Sequence, residues 1–131
     1  EDSEPTPEPC LRSGETVAEA VKAMAEAGVD GILFNCCQPE IIADAIVVTK
    51  QVLAELTKEL GKELKIGAYA NAFPPQPKDA TANDGLDVLR ADLTPESYLV
   101  WAEKWCELGA SLIGGCCGIG PDHIKALAAR L

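Results

Sequence analysis

Hydrophobic positions along the chain change period several times, and each change marks an element. Val17, Val21, Met24 and Ala27 recur at helical spacing behind Thr16, which forms a capping box with Glu19, and Gly28 stops the run. The next stretch, about 29–35, is nearly all apolar at Ile32, Leu33 and Phe34, as expected of a parallel strand buried on both faces. Met24 and Phe34 are therefore expected in the core. Pro39 opens a long helix over 39–60, with Ile42, Ala45, Ile46, Thr49, Val52, Leu53, Leu56 and Leu60 on one side and Gly61 as its stop. A second strand follows at about 64–70. Between Asn71 and Leu93 the periodicity fails around Pro74, Pro75, Pro77 and Gly85, which predicts a lid or binding loop beyond a strand end. Thr94 and Pro95 cap and open a helix to about Leu108, with Leu99, Ala102, Trp105 and Cys106 inward and Trp101 beside Trp105. Gly109 ends it, a third strand spans about 110–115, and Pro121 opens the last helix. Residues 1–13, with Pro5, Pro7 and Pro9, read as a loop.

Helices alternating with apolar strands predict an α/β fold with a parallel sheet and right-handed crossovers. An internal echo supports this. Glu26-Ala-Gly-Val-Asp-Gly-Ile-Leu-Phe-Asn-Cys36 and Glu107-Leu-Gly-Ala-Ser-Leu-Ile-Gly-Gly-Cys-Cys117 align without gaps at an offset of 81 residues. That is about two βα units of roughly 40 residues, each placing a thiol just past a strand's C-terminal end, where α/β folds carry their chemistry.

Composition narrows the class. With 131 residues there is room for one modest domain, and 47% hydrophobic content argues for a packed core. A formal charge of −10 disfavours nucleic acid and anionic membranes as partners, since phosphate surfaces need clustered Lys and Arg. No apolar run approaches the ~20 residues of a spanning helix, and the acidic start is unlike a signal peptide. Six cysteines at 10, 36, 37, 106, 116 and 117 lie mostly in adjacent pairs, which suits reduced, cytoplasmic thiols better than a disulfide scaffold.

Cys116 and Cys117 follow Gly114-Gly115 and precede Gly118 and the Pro121 helix. Neighbouring side chains in a strand point oppositely, so both thiols reach one ion only where the backbone leaves the strand, and the glycines ease that departure. A following helix N-terminus favours the thiolate form. By the same geometry only one of Cys36 and Cys37 reaches a shared ion. A vicinal redox pair is disfavoured, because a disulfide between direct neighbours is strained. Cys10 reads as an incidental loop thiol, Cys106 as packing, and His123, the single histidine, as packing or a local hydrogen bond in the first turn of the last helix.

Asn35-Cys36 after one strand, Tyr69-Ala-Asn71-Ala-Phe73 after the next, and Gly114-Gly-Cys-Cys117 before Pro121-Asp-His123-Ile together resemble the C-terminal half of the homocysteine S-methyltransferase family. The resemblance runs from Leu11-Arg-Ser-Gly-Glu15 to the C-terminus and implies a partial (β/α)8 TIM barrel, with residues 1–131 as its C-terminal portion. A complete barrel needs ~250 residues, and the family's N-terminal half, with its early Asp-Gly segment, has no counterpart here. The resemblance implies Zn2+ held by Cys36, Cys116 and Cys117. The Asn before the ligand selects Cys36 over Cys37. A vacant fourth position would take the thiol of homocysteine, which accepts a methyl group to give methionine; family donors are S-methylmethionine, S-adenosylmethionine, betaine and methyl-folate. Asn35 and Asn71 would bind substrate, although Asn71 equally suits a turn that satisfies local backbone groups. His123 belongs to the motif without being a ligand. Two alternatives stay open: a closed, purely structural zinc site, and an inert zinc-holding fragment or assembly subunit. In the latter, the exposed edges of strands 29–35 and 110–115 would recruit an N-terminal half-barrel chain or self-associate.

Overall fold

A computed structural model of the chain describes residues 7–77 and 88–131. The described elements run α1 (Val17–Glu26), β1 (Gly31–Asn35), α2 (Pro39–Leu60), β2 (Lys65–Tyr69), α3 (Pro95–Leu108), β3 (Leu112–Ile113) and α4 (Pro121–Arg130). The strands form a parallel sheet in the order β1-β2-β3, with Leu33 opposite Gly67 and Gly67 opposite Leu112. This is the expected α/β alternation. Each strand is shorter than its predicted span of 29–35, 64–70 or 110–115, and β3 falls furthest short. Pairing nevertheless continues beyond β3, since the Gly114 N–H donates to Ala68 O and the Cys116 N–H to Ala70 O, both at 2.9 Å. The glycines keep the ladder bonds there without the regular strand conformation.

Local chemistry sets the helix ends. The Thr16 hydroxyl accepts the Glu19 N–H at 3.2 Å while the Glu19 carboxylate accepts the Thr16 N–H at 2.9 Å, which closes the capping box on α1. Helix α2 stops at Gly61, which takes the left-handed conformation (φ 62°) that a Cβ would disfavour. Thr94 caps α3 through the Ser97 N–H.

Alternate side chains divide the sheet's two faces. Ile32, Ile66 and Ala68 join Val21, Ile42, Ile46, Leu53, Tyr98, Ala102 and Trp105 in one core beneath the helices. Neighbouring helices pack in series, α1 on α2, α2 on α3 and α3 on α4, and the Trp105 indole N–H reaches Pro39 O at 3.1 Å to tie α3 to the start of α2. The other face carries Leu33, Gly67 and Leu112 in a row across the strands. There Leu33 is 45% exposed and Leu112 40%. Leu33 leans over Gly67, where a Cβ would lie 2.6 Å from its Cγ.

Two core expectations need correction. Met24 is 44% exposed, because the buried stripe of α1 is the narrow row Val17, Val21 and Ala25, and Met24 lies off its edge. On α3 the fully buried residues are Tyr98, Ala102 and Trp105, with Leu99 and Cys106 only partly covered. Phe34 is half-buried and packs on the core, and Trp101 stacks on Trp105 with centroids 6.5 Å apart. The expected proline-rich start lies partly outside the described residues, as does the middle of the 71–93 loop.

Candidate metal centre

Cys36 is the first residue past β1. Its N–H continues the ladder to Tyr69 O at 3.0 Å, and its backbone takes the left-handed conformation (φ 55°). Only Cys36 does so among the described non-glycine residues; such strain is uncommon and concentrates at functional sites. Beyond β3, the Ala72 N–H donates to Cys117 O at 2.9 Å and the Ile119 N–H to Cys116 O at 3.0 Å, a tight turn completed by Gly118 at φ 76°. These two departures bring three sulfurs together. Cys36 Sγ lies 3.8 Å from Cys117 Sγ, Cys116 Sγ lies 3.9 Å from Cys117 Sγ, and all three fall within 4.8 Å of one another. Cys37, one residue on, is buried at 8% exposure in the apolar core.

The donor set fits a zinc ion. Sulfurs at about 2.3 Å from a tetrahedral centre stand about 3.8 Å apart, close to the spacings found. Among the described residues this is the one group of three or more Cys, His, Asp or Glu close enough to share an ion.

Two of the three thiols are shifted in opposite directions. Burial opposes a charge on Cys36, but hydrogen bonds from Cys116, Asn71 and Cys117 outweigh it and hold its pKa below the usual thiol value. Cys116 is pushed up to about 12, first by burial and then by donating to Cys36. Between these two, Cys36 therefore gives up its proton more readily than Cys116. Binding a cation there would release the remaining protons.

Asn71, expected either to bind substrate or to satisfy local backbone groups, is 6% exposed and bonded to the protein at both amide atoms. Its Nδ2 donates to Cys36 O at 2.7 Å and to Cys36 Sγ at 3.7 Å, and its Oδ1 accepts from Phe73 N at 3.1 Å and Gln38 Nε2 at 3.2 Å. Asn35 is exposed at the end of β1, on the same face as Leu33. His123 makes one local and one long-range bond: Nδ1 accepts the Gly120 N–H at 3.2 Å, which leaves Nε2–H to donate to Leu93 O at 2.8 Å, and its ring meets Tyr98 edge-on.

Three supporting residues escape sequence reasoning. Tyr98 donates its hydroxyl proton to Gly114 O at 2.8 Å and accepts the Ala70 N–H at 3.1 Å, so it pins the loop bearing Cys116 to the end of β2. Its burial holds its pKa above the ordinary tyrosine value, and it stays neutral and able to donate. Gln38 and Arg90 are joined by a 2.7 Å bond across 52 residues of sequence. A weak signal existed for two of them, a tyrosine one turn into a capped helix and a polar residue between a buried cysteine and a helix-opening proline, and none for Arg90.

A parallel α/β chain that gathers three thiols beyond its strand ends falls in the class of α/β proteins with strand-end chemistry. More particularly, the chain belongs to the homocysteine S-methyltransferase family, whose model matches residues 2–131. It is 30% identical over 115 residues to a selenocysteine methyltransferase of Astragalus bisulcatus, covering 86% of this chain and 28% of that protein. It is 32% identical over 119 residues to homocysteine S-methyltransferase 1 of Zea mays, covering 90% and 33%. Against a methionine synthase of Mycobacterium leprae the identity is 31% over 124 residues, covering 90% and 9%. The chain thus spans about a third or less of these relatives' length. Among the described residues, no helix is long and apolar enough to cross a membrane.

Proposed function

We propose that this chain is the thiol-bearing C-terminal portion of a zinc-dependent S-methyltransferase that moves a methyl group from an activated donor to homocysteine, giving methionine. The observation that carries this reading is the approach of Cys36, Cys116 and Cys117 Sγ to within 4.8 Å, a three-sulfur set with a tetrahedral position to spare. The names of the relatives, a selenocysteine and a homocysteine methyltransferase among them, support a thiol or selenol acceptor. A zinc ion held there would favour the deprotonated form of a coordinated substrate thiol, leaving it nucleophilic for in-line attack on the methyl carbon.

The chain's own residues prepare that step. Cys36 presents the sulfur to which Asn71 donates, Cys116 and Cys117 complete the set, and exposed Asn35 would offer an amide to the substrate. A metal-coordinated substrate thiol would need no histidine base, and the sole histidine is bonded to Gly120 and Leu93. In this reading the three strands are one arc of a (β/α)8 barrel: helices cover one face, and Leu33, Gly67 and Leu112 line what would be the interior. The free thiols suit a reducing compartment such as the cytoplasm.

A second reading, that this chain alone holds zinc without turnover, is favoured by the exposure of Leu33 and Leu112, which leaves the interior face without an opposing layer. One experiment separates the two. Zinc stoichiometry and methyl transfer are measured for the 131-residue chain, alone and mixed with a protein carrying the relatives' remaining length, using sulfonium, betaine and methyl-folate donors. One zinc per chain with activity only in the mixture supports both the chemistry and the need for a companion. Activity by the chain alone rejects the inert reading, and no zinc in either sample rejects the metal centre.

A further inference from the structure

The metal centre is connected to the far side of the 71–93 loop by a chain of polar side chains that no part of the methyl-transfer chemistry requires. Arg90 donates from Nη1 to Gln38 Oε1 at 2.7 Å. Gln38 donates from Nε2 to Asn71 Oδ1 at 3.2 Å and to Phe73 O at 2.8 Å, and Asn71 donates from Nδ2 to Cys36 O and Sγ. Gln38 is 8% exposed and Asn71 6%, so water competes little for these bonds.

The direction of each bond follows from the first. A guanidinium has five donors and no acceptor, and it stays protonated. Gln38 must therefore present its oxygen to Arg90, which turns its NH2 toward Asn71 and Phe73. Asn71 must then answer with oxygen, a choice reinforced by the Phe73 N–H, and its own NH2 is left aimed at Cys36. If Gln38 inverted, its NH2 would face the Arg90 guanidinium and its oxygen would face Asn71 Oδ1 and Phe73 O; if Asn71 inverted, its NH2 would face Gln38 Nε2 and its oxygen would face the Cys36 carbonyl and sulfur. Arg90 is itself fixed in place. It forks onto Glu40 at 2.8 and 3.1 Å, meets Asp92 at 2.6 and 3.1 Å, and its backbone N–H holds Ala72 O at 2.7 Å.

We infer that Arg90 and Gln38 are positioning residues for the metal centre: they fix the polarity of the Asn71 amide so that it donates to the Cys36 sulfur, and so hold that ligand in its metal-binding orientation. Resting on the metal-centre reading above, this adds to it two residues that touch neither metal nor substrate. Outer partners of metal ligands typically contribute about 10–100-fold in affinity.

Gln38→Glu is the sharpest test. It keeps, and strengthens with charge, the bond to Arg90, yet has no proton for Asn71 Oδ1 or Phe73 O. Zinc affinity, read by competition with a chromophoric chelator, should fall about 10-fold or more. The thiolate-to-metal absorption of the Co2+-loaded chain should shift in the same variant. Arg90→Lys keeps a donor-only cation but loses the fork, and should fall between wild type and Gln38→Glu. A measurement on the unaltered chain guards against a variant that fails to fold. On loading with Cd2+, the Asn71 side-chain amide proton facing Cys36 should shift downfield and exchange slowly by NMR. Unchanged zinc affinity and Co2+ spectrum in a folded Gln38→Glu chain, or an Asn71 amide indifferent to Cd2+ in the wild type, overturns the inference while leaving the metal centre standing. A wild-type chain that takes up none of the three metals overturns both.

Discussion

The two pairs of adjacent cysteines follow strands of the same sheet in parallel orientation, yet they deliver different numbers of sulfurs. Cys116 and Cys117 both reach the centre, whereas Cys36 reaches it and Cys37 enters the core. The difference lies in the backbone that follows. After Cys117 comes Gly118, free to take φ 76°, and a turn that keeps both thiols on one side. After Cys37 comes Gln38 and the Pro39 helix, so the chain must go straight back onto the sheet, and the adjustment falls on Cys36 itself at φ 55°. How many ligands a vicinal pair provides is thus decided by the one or two residues after it, not by the pair.

Substitution at each member of the first pair separates their roles most sharply. Cys36→Ser should lower zinc affinity by more than about 100-fold, beyond the usual worth of an outer partner, while Cys37→Ser should leave it within about threefold. Cys37→Ser should instead cost about 1–3 kcal/mol in urea unfolding, for a hydroxyl placed among apolar neighbours. The reverse ordering of the two affinities would end the distinction drawn between the pairs.

The second pair depends on the support behind it. Tyr98→Phe removes the hydroxyl shared by Ala70 N and Gly114 O and leaves a buried N–H and a partly buried carbonyl short of a partner, at about 1–3 kcal/mol. A change below about 0.5 kcal/mol would show that the Cys116 loop does not need that brace. Gly118→Ala forces a Cβ into the left-handed region and to 3.0 Å from Ala72 Cβ, which should cost about 1–2 kcal/mol and weaken zinc binding as the turn opens. Equal stability and affinity would mean that the turn tolerates any residue.

The smallest effect concerns the support of the first pair, and it is read through pH. Burial works against the charged form of Glu40, but the Arg90 guanidinium outweighs it and holds the carboxyl below its ordinary value of 4.5. A depressed folded-state pKa adds stability above the unfolded value, and that stability is lost as the carboxylate takes up its proton. Wild-type unfolding free energy should therefore decline as pH falls below about 4.5, and Glu40→Gln should flatten that decline. Parallel curves would remove Glu40 from the account of how Arg90 is held.

Much of this was legible in the sequence where a local rule decides. The Thr16 capping box, Pro39, Gly61 and the Thr94-Pro95 start set the helix ends because capping and φ preferences act over three or four residues. The gapless echo of Cys36 in Cys117 placed two thiols past the ends of parallel strands, because each βα unit repeats the same path. Features that depend on tertiary partners were not legible. The positive φ of Cys36 comes from the helix packed behind it, the exposure of Met24 from how narrow a stripe α2 covers, and the Gln38–Arg90 bond from a meeting of residues far apart in sequence. Tyr98 looked like an ordinary helix residue, since only the folded chain shows which backbone groups lie at its hydroxyl.

The central claim is that Cys36, Cys116 and Cys117, without Cys37, form a three-sulfur set with one position left for a substrate. X-ray absorption at the zinc edge of the loaded chain counts those atoms directly. Three sulfurs at about 2.3 Å with one lighter oxygen or nitrogen neighbour are expected, unchanged by Cys37→Ser. Two sulfurs or fewer, or four in the absence of any added thiol, would contradict it.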